Sequence, residues 1–109
     1  MKLKGIAIFV EDIDKAVTFY HGVFNLETAH RGENSASFML NDFRVFLHQK
    51  MDMKEGLPPN EDHVEYEVED LDKEIDRLKN EGFELELEPK KYYWGYSAYL
   101  RDPEGRMIE

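Results

Sequence analysis

Two short stretches, Val10–Lys15 (VEDIDK) and Val68–Lys73 (VEDLDK), are near copies of each other and lie 58 positions apart. Five of their six positions are identical, and the sixth exchanges isoleucine for leucine. Each copy follows a stretch of alternating apolar residues and opens one with helical spacing. A repeat of this length, seen twice, is too long for the common solenoids and indicates one domain built from two similar halves.

In the first half, the alternation over Leu3–Val10 predicts a strand, and Asp12 is the expected N-cap of a helix that continues to Phe24. Three further strands are expected before a polar segment that contains Gly56, Pro58 and Pro59, which is interpreted as a linker. These strands are predicted at Glu27–His30, Ser35–Leu40 and Phe43–His48.

The second half repeats this order. His63–Val68 is the predicted strand, Asp70 the N-cap, and Gly82 follows the last turn of the helix. Three strands are again expected, with a break at residues 89–91 and a turn at residues 102–105. They are predicted at Phe83–Glu88, Tyr93–Arg101 and Arg106–Glu109.

The predicted fold class is therefore α+β, with two βαβββ modules forming one curved mixed sheet around a cleft and the helices on the convex side. We expect a single domain over residues 1–109, with module one at about 1–50, a linker at about 51–61 and module two at about 62–109. A pocket is expected where the halves meet.

Composition narrows the function classes. The net charge of −10 argues against nucleic-acid binding, which needs clustered lysine and arginine. The chain has no cysteine, so thiolate chemistry and disulfides are excluded. The start, Met1–Gly5, lacks the apolar run of a signal peptide and no segment is long enough to span a membrane, which predicts a cytoplasmic protein. An acidic surface could attract a cationic small molecule or serve solubility alone.

Three stretches, Val10–Tyr20, His63–Val68 and Arg101–Glu109, resemble the vicinal oxygen chelate superfamily. This superfamily includes glyoxalase I, bleomycin resistance proteins, fosfomycin resistance proteins and extradiol dioxygenases. The resemblance covers essentially the whole chain and implies a small-molecule ligand, a homodimer and, in the family's enzymes, a divalent metal ion such as Fe, Mn, Ni or Zn.

Family enzymes hold the metal with four side chains, and the positions that match them here are Gly5, Phe46, His63 and Glu109. The second half thus keeps both ligand types and the first half keeps neither. His48 is a candidate third ligand, because it shares a face with Phe46, although it lies about 7 Å further along the strand. The alternative is that His63 is hydrogen-bonded to Glu109 without a metal.

Further candidates follow from strand alternation and from aromatic content. Glu65 shares a face with His63, and Tyr99 is expected to face the same cleft, so both are candidate acid–base residues. Trp94 belongs to an aromatic cluster at residues 92–96 that could stack on a planar ligand or pack structurally.

Three functions remain open on this basis, and the third of them is a pure interaction module. The first is a binding protein that holds a small organic molecule, planar or cationic, without a cofactor. Its predicted ligand-binding residues are Phe46, His48, His63, Trp94 and Tyr99. The second is a metal-dependent enzyme, either a glyoxalase-like lyase or isomerase or a ring-cleaving dioxygenase, with His63 and Glu109 as metal ligands.

Overall fold

The computed structural model describes residues 1–52 and 57–109. They form eight strands and two helices, and neither helix of this described part is long and apolar enough to cross a membrane. In chain order the elements are β1 (Lys2–Val10), α1 (Ile13–Phe24), β2 (His30–Arg31), β3 (Ser35–Leu40), β4 (Phe43–Gln49), β5 (His63–Glu67), α2 (Leu71–Asn80), β6 (Leu87–Tyr92), β7 (Gly95–Arg101) and β8 (Met107–Ile108).

The strands form one mixed sheet in the order β2-β3-β4-β1-β5-β8-β7-β6. The first strands of the two halves, β1 and β5, pair antiparallel at its centre, and each pairs in parallel with the last strand of its own half. Ile6 lies opposite Val64, and its neighbours Gly5 and Ala7 lie opposite Glu65 and His63. This register relates the halves by a pseudo-twofold axis through the Ile6–Val64 pair and confirms the predicted two-module sheet.

The duplicated motif acts as a helix N-cap in both halves. Asp12 Oδ1 accepts a hydrogen bond from the Lys15 backbone N–H at 3.1 Å, and Asp70 Oδ1 accepts one from Lys73 at 3.1 Å. Each carboxylate satisfies a backbone N–H that has no partner within the helix. Where α2 ends, Gly82 adopts a φ of 92°, a left-handed conformation that favours glycine.

One face of the first half packs against α1. Its buried cluster comprises Ile13, Ala36, Phe38, Val45 and Leu47. Val45 and Leu47 point toward the helix. Because side chains alternate along a strand, their neighbours Arg44, Phe46 and His48 point to the opposite, concave face. This alternation is what supplies β4 side chains to the cleft.

The sheet edges differ from the sequence prediction. The second strand is only His30–Arg31, rather than Glu27–His30. In the second half, the strand predicted at Phe83–Glu88 lies instead at Leu87–Tyr92, so Pro89 falls inside a strand. Proline is tolerated there because β6 is an edge strand and its pairing with β7 shifts register between Leu87 and Lys90.

The remaining boundaries differ by a few residues. Tyr93 and Trp94 form the turn between β6 and β7, so the predicted strand at Tyr93–Arg101 begins at Gly95. The last strand is Met107–Ile108, with Glu109 directly after it. In the connection between the halves, Asn60 Nδ2 donates to the Met51 carbonyl at 2.6 Å, whereas Gly56 of the predicted linker lies outside the described residues.

Candidate functional site

A cavity of about 210 Å³ opens on the concave face of the sheet, between the two halves. Its wall combines aromatic, apolar and ionisable side chains. All five predicted ligand-binding residues line it, together with Ala7, Phe9, Arg44, Glu65 and Glu109. A second, more open cavity of about 550 Å³ lies beside the turn at residues 102–105. Of the predicted ligand-binding residues, His63 lines this cavity.

His63 lies at the start of β5 and is almost completely buried, with 6% of its surface exposed. Its Nδ1 lies 2.8 Å from the Glu61 carbonyl oxygen, and its Nε2 lies 2.9 Å from Glu109 Oε1. Both partners are acceptors, so both ring nitrogens donate and the ring is an imidazolium. Burial alone lowers the pKa of His63, but the hydrogen bonds to Glu109 and to the Glu61 carbonyl, with the nearby negative charges, raise it above its ordinary value.

Glu109 accepts hydrogen bonds from several side chains. Besides His63, Ser97 Oγ donates to Oε2 at 2.8 Å and Trp94 Nε1 donates to it at 3.2 Å. Burial by itself raises the pKa of Glu109, but the hydrogen bonds from His63 and Ser97 and the charge of His63 lower it below its ordinary value. His63 and Glu109 therefore form a buried ion pair.

A second ion pair lies on the other side of the cleft. Arg44 Nη2 donates to Glu65 Oε2 at 2.7 Å, and the Glu65 side chain is only 7% exposed. Arg44 Nε and Glu65 Oε1 are also buried but have no hydrogen-bond partner among the residues that the structure describes. The pair therefore holds unused hydrogen-bonding capacity next to the cavity, and one Glu65 oxygen is already engaged by a cation.

The positions that match the family's first-half metal ligands carry no donor atom. A Cβ at Gly5 would lie 2.2 Å from the Arg44 carbonyl oxygen, so the backbone of β4 occupies the space that a ligating side chain would need. In the sheet register Phe46 lies opposite Ala7. Phe46 therefore takes the place in the first half that Glu109 takes in the second, as the repeat indicates. A phenyl ring cannot ligate a metal. Catalytic zinc usually has three protein ligands plus water, which two positions cannot supply.

His48 does not complete a metal-binding set. Its ring packs against Phe9 and Phe46, with centroid distances of 5.7 Å and 6.0 Å. Its Nδ1 is bonded to the Gln49 carbonyl oxygen at 2.6 Å. Within residues 1–52 and 57–109, no three histidine, aspartate or glutamate side chains are grouped so that they could hold a metal ion. The donor set of this cleft does not fit the family's metal.

The aromatic cluster lies at the mouth of the cleft. The Trp94 ring stacks on Tyr92 at 4.4 Å between centroids with an interplanar angle of 5°, and Tyr93 meets it edge-on at 4.7 Å. Trp94 keeps 39% of its surface exposed, so it is able to contact a ligand while its indole N–H is held by Glu109.

Tyr99 lies deeper in the cleft, with 1% of its surface exposed, and its ring meets His63 edge-on at 5.7 Å. Burial, with the negative charge of Glu109, raises the pKa of the Tyr99 phenol well above its ordinary value. At neutral pH Tyr99 is therefore a hydrogen-bonding neutral phenol.

Sequence reasoning missed several polar residues of this site, among them Arg44 and Ser97. Both share a face with a predicted site residue two positions away, Arg44 with Phe46 and Ser97 with Tyr99. The period-2 alternation that placed Phe46 in the cleft therefore also predicts Arg44, once β4 is accepted as a strand.

Comparison with known proteins agrees with this architecture. The family model described as Glyoxalase/Bleomycin resistance protein/Dioxygenase superfamily matches residues 2–109. Metallothiol transferase FosB of Shouchella clausii is 30% identical over 105 residues, which cover 92% of this chain and 72% of that protein. Fosfomycin resistance protein FosX of Listeria monocytogenes is 27% identical over 114 residues, covering 98% of this chain and 86% of that protein.

Solved structures share the fold at lower sequence identity. The crystal structure described as an NAD-dependent benzaldehyde dehydrogenase from Legionella pneumophila superposes with a TM-score of 0.78 at 16% identity, covering 95% of this chain and 93% of that chain. A likeness at this identity concerns the fold alone. With the match to the family model over residues 2–109, it follows that the chain belongs to the glyoxalase/bleomycin resistance protein/dioxygenase superfamily.

Proposed function

We propose that this protein binds a small planar organic molecule in the cleft between its two halves and holds it without a metal ion. The observation that carries this proposal is the donor set of the cleft. Gly5 and Phe46 offer no ligating atom, and His63 and Glu109 are bonded to each other.

The shape and lining of the cavity support a ring-shaped ligand. A cavity of 150 Å³ is large enough for benzene, so a cavity of about 210 Å³ accommodates one substituted ring. Phe9, Phe46 and Trp94 offer aromatic surfaces on which such a ring stacks or packs edge-on. Ligand pockets commonly combine such apolar walls with a few fixed polar groups, and here the two ion pairs supply them.

Single-ring probes of different charge test this proposal by isothermal titration calorimetry. We would titrate benzamidine, benzyl alcohol and benzoate, which are a cation, a neutral molecule and an anion. Trp94 is the only tryptophan, so a change in intrinsic fluorescence would locate binding at the mouth of the cleft. The benzamidine arm also tests the cationic ligand that an acidic surface could attract.

Trp94→Ala is the informative variant, with Phe19→Ala as its control. Phe19 is an aromatic residue of α1 that is 61% exposed and does not line the cleft. Removing a stacking ring is expected to weaken binding about 5-fold or more, whereas the control should bind as the wild type does. Unchanged affinity of Trp94→Ala for every probe would refute a ligand site built on this ring.

The second candidate function is a metal-dependent enzyme with His63 and Glu109 as ligands. The observations that favour it are the sequence similarity to a metallothiol transferase and to a fosfomycin resistance protein. Elemental analysis of tag-free protein decides between the two functions, with His63→Ala as the control. Near-stoichiometric iron, manganese, nickel or zinc that is lost in His63→Ala would establish metal binding and overturn the proposal above.

The oligomeric state and location belong to the same proposal. We infer a cytoplasmic homodimer from the family resemblance and from the sequence. Sedimentation equilibrium measures the oligomeric state, and a monomer at micromolar concentration would contradict the dimer.

A further inference from the structure

Strand β4 presents three different side chains in a row to the cleft: Arg44, Phe46 and His48. They occupy alternate positions of the strand, so their Cα atoms span about 14 Å from the first to the last. The Phe46 ring lies between the other two, 6.0 Å from the His48 ring and 5.3 Å from Arg44 Cζ. The row thus consists of an apolar surface with a polar group at each end.

At one end, His48 offers a hydrogen-bond acceptor. Its Nδ1 lies 2.6 Å from the Gln49 carbonyl oxygen, which only accepts, so Nδ1 carries a proton. In that tautomer of the imidazole, Nε2 carries the lone pair. Among residues 1–52 and 57–109, the hydrogen bond recorded for the His48 ring is the one at Nδ1, and 9% of the His48 surface is exposed. A ligand that meets this end therefore needs an O–H or N–H donor.

At the other end, Arg44 offers hydrogen-bond donors without a net charge. A guanidinium has five N–H groups, and the structure records one bond of Arg44, from Nη2 to Glu65. Because Glu65 balances its charge and His63 balances Glu109, the cleft contains two neutral pairs. An unpaired charge on a buried ligand would lose hydration without a compensating counter-charge. A carbonyl group fits this end better than a carboxylate.

We propose that the cleft selects a neutral, single-ring aromatic ligand that lies over Phe46, donates from a hydroxyl or amino group to His48 and accepts through a carbonyl from Arg44. This inference rests on the proposed binding function and specifies its ligand class. It also departs from the cationic ligand that the acidic surface could attract, because the local pairing of charges decides what a buried ligand meets.

The test compares four probes on the wild-type protein by isothermal titration calorimetry. 4-Hydroxybenzamide carries both the hydroxyl donor and the carbonyl acceptor. 4-Methoxybenzamide has a methyl ether in place of the hydroxyl donor, benzamide lacks the hydroxyl group altogether, and 4-hydroxybenzoate carries a negative charge. We expect 4-hydroxybenzamide to bind about 3- to 10-fold more tightly than either other amide, as one added hydrogen bond does. We expect 4-hydroxybenzoate to bind more weakly than 4-hydroxybenzamide.

His48→Asn isolates the acceptor. The asparagine amide N–H can still donate to the Gln49 carbonyl, but the Nε2 lone pair is gone. The control is His21→Asn. His21 lies outside the cleft, and its Nδ1 also lies close to a backbone carbonyl oxygen, that of Leu26 at 2.8 Å. We expect His48→Asn to remove the preference for 4-hydroxybenzamide over benzamide, while His21→Asn keeps that preference.

The outcomes separate this inference from the proposed function. If the amides bind but the hydroxyl gives no advantage in the wild type, or if its advantage survives in His48→Asn, the ligand class is wrong and the binding function stands. If 4-hydroxybenzoate binds as tightly as 4-hydroxybenzamide, the neutral-ligand argument fails in the same way. If none of the seven ring probes binds the wild type, both proposals fall. Should His48→Asn not fold, the wild-type comparison of the hydroxy and methoxy compounds still decides.

Discussion

Gly5→Ala is expected to destabilise this protein, although replacing glycine by alanine in a strand generally stabilises the folded state. Gly5 lies inside β1, and its backbone does not adopt a positive φ. An added methyl group would ordinarily stabilise such a position by about 0.4–1 kcal/mol, because it restricts the unfolded chain. The expected change of sign comes from one contact.

That contact is with the backbone of β4. The new Cβ would lie 2.2 Å from the carbonyl oxygen and 3.0 Å from the carbonyl carbon of Arg44, where ordinary van der Waals contact begins at 3.4 Å. The neighbouring strand would have to move by about 1.2 Å. Overpacking of this kind costs about 1–3 kcal/mol, and a backbone atom yields less readily than a side chain. We therefore expect a net loss of about 2 kcal/mol, or a fall in Tm of about 8 °C for a domain of this size.

Urea unfolding followed by circular dichroism measures this effect, with Gly22→Ala as the matched control. Gly22 lies in α1 with no atom within 4 Å of its would-be Cβ, so alanine there should stabilise the protein by about 0.5–1 kcal/mol. A Gly5→Ala protein as stable as the wild type would refute the close approach of β1 and β4. It would also remove the steric reason why no ligating side chain fits at this position.

Three further predictions concern the buried ion pair and the helix caps. The His63–Glu109 pair should contribute most to the free energy of unfolding between about pH 4.5 and 6.5, the ordinary pKa values of the two groups. Its contribution should be lost as pH falls through the lowered pKa of Glu109 or rises through the raised pKa of His63. Urea titrations of the wild type and of the double variant His63→Gln/Glu109→Gln across pH check this, and a pH-independent difference would contradict it. His63→Ala alone should lower the free energy of unfolding by about 3–5 kcal/mol, because it leaves a buried carboxylate unpaired. Glu61→Ala removes a partly exposed partner of an arginine and should lower it by at most about 1 kcal/mol. Equal losses in the two variants would show that burial does not set the difference. Asp12→Ala and Asp70→Ala should each cost about 1 kcal/mol by thermal unfolding, and an unchanged Tm would refute the capping role.

Much of the sheet could be predicted because its two halves repeat. An offset of 58 residues implies that equivalent positions lie symmetrically about an axis, and the observed Ile6–Val64 pair lies on it. The same offset correctly made Gly5 the counterpart of His63. N-caps were equally predictable, because a cap depends on one carboxylate and a backbone N–H three residues away.

The edge strands could not be predicted in the same way. Phe83 alternates with Leu85 and Leu87 as a strand residue would, yet it is 53% exposed and precedes β6. Alternation predicts a strand only where one face is buried, and at the sheet edge little surface is buried. Pro89 indicated a break between strands because proline is excluded from central strands. The strand that contains it lies at the sheet edge, where proline is accepted.

The sequence by itself determined the two-module architecture, the faces of the inner strands and the loss of ligating side chains from the first half. Those features depend on local periodicity and on residue identity. Only the tertiary structure decided the partners of the ionisable groups, because those partners come from distant strands. Glu109 reaches His63 across 46 residues of sequence, and Glu65 reaches Arg44 across 21. Strand register brings these groups within hydrogen-bond distance, and the result is two charge-balanced pairs beside an aromatic cavity.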